Sequence, residues 1–138
     1  MRVFYCLLLS LLISCSDSDK PIDGTCVPIV IDQSIFNDSD FLPANLIEYS
    51  LDENCLMVTL SVGGCDGNHD IDMVTDGAIA ESDPPQITFD FRDNTPQSCY
   101  ALFQLERSFD LTKISELIEG DIVVRFRENE DLFFLYPN

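Results

Sequence analysis

Residues 55–62 read Cys55-Leu56-Met57-Val58-Thr59-Leu60-Ser61-Val62. In an extended chain Leu56, Val58, Leu60 and Val62 fall on one side, with Met57, Thr59 and Ser61 on the other. A period of two marks a half-buried strand with one apolar and one wet face. The alternation recurs downstream. Ile87, Phe89 and Phe91 stand against Thr88, Asp90 and Arg92, and Ala101, Phe103 and Leu105 against Gln104 and Glu106. Ile122, Val124 and Phe126 likewise oppose Val123, Arg125 and Arg127. Val27–Asp32, Leu46–Asp52, Asp70–Thr75 and Leu132–Tyr136 are further strand candidates.

Turn residues punctuate these runs: Asp52-Glu53-Asn54, Gly63-Gly64, Asp76-Gly77, Asp83-Pro84-Pro85, Asp93-Asn94-Thr95-Pro96 and Glu128-Asn129-Glu130. Seven to eight short strands at this spacing predict an all-β fold, an antiparallel β-sandwich of immunoglobulin-like type. Lys113–Glu119, with Ile114, Leu117 and Ile118 on one side, supplies its one short helical turn.

The chain has 138 residues, which fits one domain, and its 46% hydrophobic content is enough to fill a core. Seven Lys and Arg stand against 25 Asp and Glu, a net charge of −18. Gripping a phosphate backbone takes a basic footprint, so nucleic acid is excluded as a partner, and so is electrostatic binding to anionic lipid. Arg125-x-Arg127 is the largest basic cluster and reads as the solvent face of one strand.

The N-terminus has a different character. Behind Arg2, Val3–Ile13 is apolar except for Ser10, which suits a secretory segment and is too short for the ~20 residues of a membrane span. It ends in Leu12-Ile13-Ser14-Cys15, which resembles the lipobox of bacterial lipoproteins. That resemblance implies a diacylglycerol on the Cys15 thiol, cleavage after Ser14 and acylation of the new amine, for example with palmitate. The chain then divides into a signal peptide (1–14), an acidic tether (15–24) and a β-sandwich domain (25–138). Two or three acyl chains, at ~0.8 kcal/mol per buried methylene, hold such a domain on a membrane. Ser16 after the anchor cysteine resembles outer-membrane sorting in Gram-negative bacteria. Ser16-Asp17-Ser18-Asp19-Lys20 is similar to the tethers of surface-exposed Bacteroidota lipoproteins, although the same composition suits a plain solvated spacer.

With Cys6 in the discarded segment and Cys15 lipidated, Cys26, Cys55, Cys65 and Cys99 remain, an even number that reads as two disulfides in an exported chain. Three pairings exist. Cys55 and Cys65 flank one strand and so lie roughly 25–30 Å apart, too far for a bridge. Cys65–Cys99, joining the end of one strand to the start of another, and Cys26–Cys55, stapling the N-terminal segment to the body, are favoured. Zinc would need close Cys/His pairs, which gaps of 29, 10 and 34 residues with one His do not provide.

Chemistry has few places to sit. Asp66, Asn68 and Asp70 have the alternate spacing of a calcium loop, but Ile71 and Gly77 stand where the EF-hand needs Gly and Glu. A hairpin loop with Asp and Asn making turn bonds explains them better. His69 is the sole histidine, so a catalytic triad or metal hydrolase would have to use it, and Gly-x-Ser-x-Gly is absent. No cofactor is expected.

Cys55-Leu56, Gly63-Gly64-Cys65, His69-Asp70, Glu81-Ser82, Pro84-Pro85-Gln86, Cys99 and Phe109-Asp110-Leu111 are similar to small uncharacterised lipoproteins of Bacteroidota. The resemblance covers under half the chain and implies a framework of cysteines and turns, with no activity attached. The expectation is a lipid-anchored outer-membrane lipoprotein, on the periplasmic or cell-surface side, acting as a non-catalytic binding or structural module. An immunity or inhibitor lipoprotein for a basic secreted protein is the alternative. A metal-dependent hydrolase is the third reading, and it requires His69 and two carboxylates to converge.

Overall fold

The computed structural model of the chain describes residues 25–137. The expected signal peptide, Cys15 and the tether lie outside the described residues. The strand that begins at Cys55 runs ten residues, β5 (Cys55–Gly64), with every second side chain from Leu56 to Val62 buried. It pairs antiparallel with β4 (Asn45–Asp52) on one side and β9 (Ala101–Asp110) on the other, and β1 (Val27–Pro28) extends the sheet beyond β9. The second sheet has the order β11 (Asn129–Tyr136), β10 (Ile122–Phe126), β8 (Gln86–Asp93), β6 (Ile71–Thr75), β2 (Val30–Ile31). The short strands β3 (Leu42–Pro43) and β7 (Ile79–Ala80) also pair with β8.

The protein is mostly β, with two sheets layered as a sandwich, but two expectations need correcting. Eleven strands, four of them only two residues long, replace the seven to eight expected among the described residues. The sheets are also mixed rather than antiparallel, since β1 runs parallel to β9, β2 to β6, and β10 to β8. The cause is the path of the chain. From β8 it crosses to the other sheet as β9, turns through Thr112–Glu116 and returns as β10 in the direction of β8. Side-chain alternation is the same in parallel and antiparallel pairs, so it carries no sign of this. An immunoglobulin sandwich is antiparallel throughout, and the three parallel pairs depart from that pattern.

The candidate strand Val27–Asp32 also divides. Val27 and Pro28 pair with Phe109 and Asp110 in one sheet, Val30 and Ile31 with Val74 and Thr75 in the other, and Ile29 is fully buried between them. One short segment thus stitches the two layers together. A second helical turn follows at once, α1 (Gln33–Phe36), because the Asp32 carboxylate accepts the backbone N–H groups of Ser34 and Ile35 at 2.8 and 3.1 Å. The expected turn at Lys113–Glu119 is a 3-10 turn over Thr112–Glu116, with Ile114 plugged into the core.

Leu56, Leu60, Ile87, Phe89, Ile122 and Val124 are completely buried between the layers. Phe91 stacks on Phe126 at 5.6 Å and tilts against Phe109 at 5.7 Å. Aromatic pairs at such distances add ~0.5–1.5 kcal/mol beyond the area they bury. Disulfides join Cys26 to Cys55 and Cys65 to Cys99, with Cα separations of 5.9 and 4.8 Å. They sit at the two ends of β5, about 30 Å apart at ~3.3 Å per residue.

Candidate functional site

The loop from Cys65 to Asp70 carries the residues singled out for chemistry, and its bonds engage the side chains of Asp66 and His69 and the backbone of Asn68 and Asp70. Gln97 Oε1 accepts the backbone N–H groups of Cys65 and Asp66, and Gln97 Nε2 donates to Asp66 Oδ1 at 3.0 Å. Asp66 Oδ1 also takes the N–H of Asn68 at 2.9 Å. These donors hold the Asp66 carboxyl below the usual range, the Asn68 N–H contributing most. The Asp70 backbone N–H donates to Thr95 Oγ1 at 3.0 Å, and its carbonyl accepts from the Asn94 N–H at 2.8 Å. Asp66, Asn68 and Asp70 therefore sit in a loop laced to residues 94–97. No group of three or more His, Cys, Asp or Glu placed to hold a metal occurs among the described residues.

His69 is buried at the foot of this loop. Its Nδ1 lies 2.7 Å from Asp93 Oδ2 and its Nε2 lies 2.9 Å from the Asp66 carbonyl oxygen. Both ring nitrogens lie within hydrogen-bond distance of protein oxygens. The Asp93 carboxylate is in turn held by the N–H and hydroxyl of Thr95, each at 2.9 Å, and Arg107 Nη2 donates to the His69 carbonyl at 2.7 Å. The ring packs so closely on β5 that a Cβ on Gly64 would come within 2.5 Å of His69 Nε2. Gly63 and Gly64 are not turn residues as expected. They belong to β5, and Gly64 is required by the imidazole beside it.

A second polar cluster lies on the outward face of the seven-stranded sheet. Asp90 and Arg92, expected on a wet face, are 2% and 6% exposed because α1 covers them. Arg92 Nη2 bonds Asp90 Oδ2 at 3.0 Å and the Phe36 carbonyl at 2.8 Å. Arg127 Nη1 reaches the same carbonyl at 2.7 Å and Asp90 at 3.5 Å, with its guanidinium 3.6 Å over the Phe36 ring. Burial pushes the Asp90 carboxyl up, although the two guanidinium groups pull it back. Arg125 is half-buried, lies over the Phe133 ring at 5.1 Å and is bonded to Gln86 Oε1. The two arginines read as a solvent face are thus partly sequestered. The signal for the buried pair was available in Asp90 and Arg92, opposite charges two residues apart and so on one side of a strand.

The outward face of the four-stranded sheet has a third character. Strand register aligns Ser50, Met57 and Ser108 in one row, Glu48, Thr59 and Glu106 in the next, then Asn45, Ser61 and Gln104, and finally Gly63 and Leu102. Met57, Thr59 and Ser61 are half-exposed and the flanking glutamates exposed. A shallow depression of about 330 Å³ is lined by Glu48, Met57, Thr59, Glu106, Arg107 and Ser108. Thr59 donates to Glu48 Oε1 at 3.2 Å. At the Cys65–Cys99 end the face turns apolar, where Leu102 is 79% exposed and Tyr100 fully exposed. Sequence reasoning missed these two. Their signal was apolar side chains at consecutive positions, Ala101, Leu102 and Phe103, where a half-buried strand needs only alternate ones.

No protein-family profile matches the sequence, and no curated protein matches it. A crystal structure from Parabacteroides distasonis, of a protein described only as toxin-related, is similar in shape with a TM-score of 0.48 and 18% identity. The alignment covers 82% of this chain, which spans 60% of that protein's length.

Proposed function

We propose that the chain is a binding or structural module of the bacterial cell envelope, exported and held on the outer membrane by lipid on Cys15, with no catalytic activity of its own. The observation that carries this reading is the pair of disulfides at the two ends of β5. Such bridges persist where thiols are oxidised, outside the cytosol. Cys26 follows the lipobox cysteine by eleven residues and is bonded to the start of β5. Export, a short acidic spacer and a stapled body fit together on that route. The polar side chains that could do chemistry are spent on holding loops and α1, which suits a scaffold better than an enzyme. Globomycin-sensitive processing and incorporation of labelled palmitate test the anchor. The wild-type chain is expected to take up label and lose residues 1–14, and Cys15→Ala to stay an unlabelled precursor. A Cys15→Ala variant that still takes up label ends this reading.

A further inference from the structure

We infer that the outward face of the four-stranded sheet, centred on the Glu48–Thr59–Glu106 row and its Leu102 end, is a docking surface for a basic protein segment carrying an apolar side chain. The inference rests on the binding-module reading above and names the surface and the class of partner. Three observations meet here. First, the face carries two exposed carboxylates, and the one cation that lines its depression among the described residues, Arg107, is tied to the Glu106 and His69 carbonyls. Arg92, Arg125 and Arg127 lie on the opposite sheet, and Lys113 reaches the Ile29 carbonyl. Glu48 and Glu106 flank the central strand, about 9–10 Å apart across two strand spacings, a separation that two basic side chains of one extended segment can span.

Second, past Met57 the outward residues of the middle strand are Thr59, Ser61 and Gly63, all small, so a partner can approach closely there without displacing bulk. Beyond them Gly63 leaves open space, with nothing within 4 Å of where a Cβ would stand. Leu102 lies directly across from it and is 79% exposed. An apolar side chain entering beside Gly63 would cover Leu102 and remove both from water. Third, the Cys65–Cys99 bridge pins the segment that leads into Leu102, so the apolar end is presented at little ordering cost.

Charge selects the occupant. A second copy would set Glu48 and Glu106 against themselves, and the chain's own segment 16–24 is also acidic, with three Asp against one Lys. An anionic lipid surface is repelled for the same reason. A basic polypeptide is attracted at long range and then held by the apolar contact.

The test is fluorescence anisotropy of the full-length chain with a labelled, end-capped hexapeptide of alternating lysine and leucine, and with its glutamate–leucine counterpart. The basic peptide should bind and the acidic one should not, with affinity falling about tenfold or more between roughly 0.05 and 0.5 M NaCl. Glu48→Gln with Glu106→Gln should weaken binding about fivefold or more, and Leu102→Ser should weaken it at every salt concentration. Phe133→Ser on the other sheet should leave it unchanged. Equal binding of both peptides, indifference to the face variants, or loss on Phe133→Ser overturns the inference. So does binding that emerges only once residues 1–24 are removed, because the face is then the seat of the chain's own segment. A peptide that ignores the face overturns this surface even where the wild-type chain is lipidated on Cys15. Face binding by a wild-type chain found to carry no lipid overturns the anchor alone.

Discussion

On the seven-stranded sheet the outward row Thr88, Asp90 and Arg92 carries charge and lies against the chain's own helix. On the four-stranded sheet the outward row Met57, Thr59 and Ser61 carries none and stands open between two glutamates. Both rows come from one alternation, yet one face is sealed from within and the other left bare. The sealed face needs its ion pairs because α1 removes them from water; a buried charge is tolerable only when paired and hydrogen-bonded. The bare face has nothing to neutralise its carboxylates but solvent or a partner.

The largest effect expected from this contrast follows the loss of Asp90. Asp90→Ala leaves the Arg92 guanidinium buried without its counter-charge and should cost about 3–5 kcal/mol in chemical denaturation. Glu106→Ala on the open face should stay within about 0.5 kcal/mol of wild type. Similar costs at the two sites would show that the open face is not open. Peptide binding should respond in the reverse order, weakened by the loss of Glu106 and indifferent to Asp90 wherever the variant remains folded.

Next in size is the bridge at the tip. Cys65→Ser with Cys99→Ser should lower stability by about 2–4 kcal/mol, measured by thermal unfolding without reductant. It should also loosen the His69 loop, because Cys65 begins the segment that Gln97 and Asp93 hold. Faster hydrogen exchange across residues 65–70, with β10 and β11 unchanged, is the expected pattern. Unchanged stability would mean that the Asp66–Gln97 and His69–Asp93 bonds alone fix the loop.

Much of this architecture was legible beforehand. Alternation from Leu56 to Val62 located the central strand, and the distance from Cys55 to Cys65 along it weighed against one of three pairings. Strand direction was not legible, since Ile122, Val124 and Phe126 alternate in the same way beside a parallel or an antiparallel neighbour. The sealing of Asp90 was hidden because it depends on α1, a four-residue turn set by the Asp32 cap and covering residues more than fifty positions away. His69 was singled out only as the residue a triad or metal hydrolase would have to use. Its burial was not foreseen, because its partners Asp93 and Arg107 come from distant strands. The open face was half legible: its polar residues were identified, but their alignment into rows depends on register, which only the pairing of three strands fixes.

The smallest effect separates the two kinds of carboxylate by the sign of their response to acid. The Thr112 hydroxyl and N–H donate to the Asp110 carboxylate and hold it below the ordinary value of 3.8, as exposed caps do. A lowered group contributes stability that is present above its unfolded value and lost as pH falls through the folded one. The advantage of wild type over Asp110→Asn should therefore be about 1–2 °C in Tm at neutral pH and fade below roughly pH 4. Asp90 is shifted upward by burial, so its sign is opposite. Folding makes Asp90 easier to protonate than it is in the unfolded chain, and the stability linked to that proton is lost as pH rises through the folded value. Relative to Asp90→Asn, wild type should gain as pH falls, in the same acid range where Asp110 gives up its share. Parallel slopes for the two variants would mean that solvent reaches Asp90 as freely as it reaches the cap, and that α1 does not seal that face.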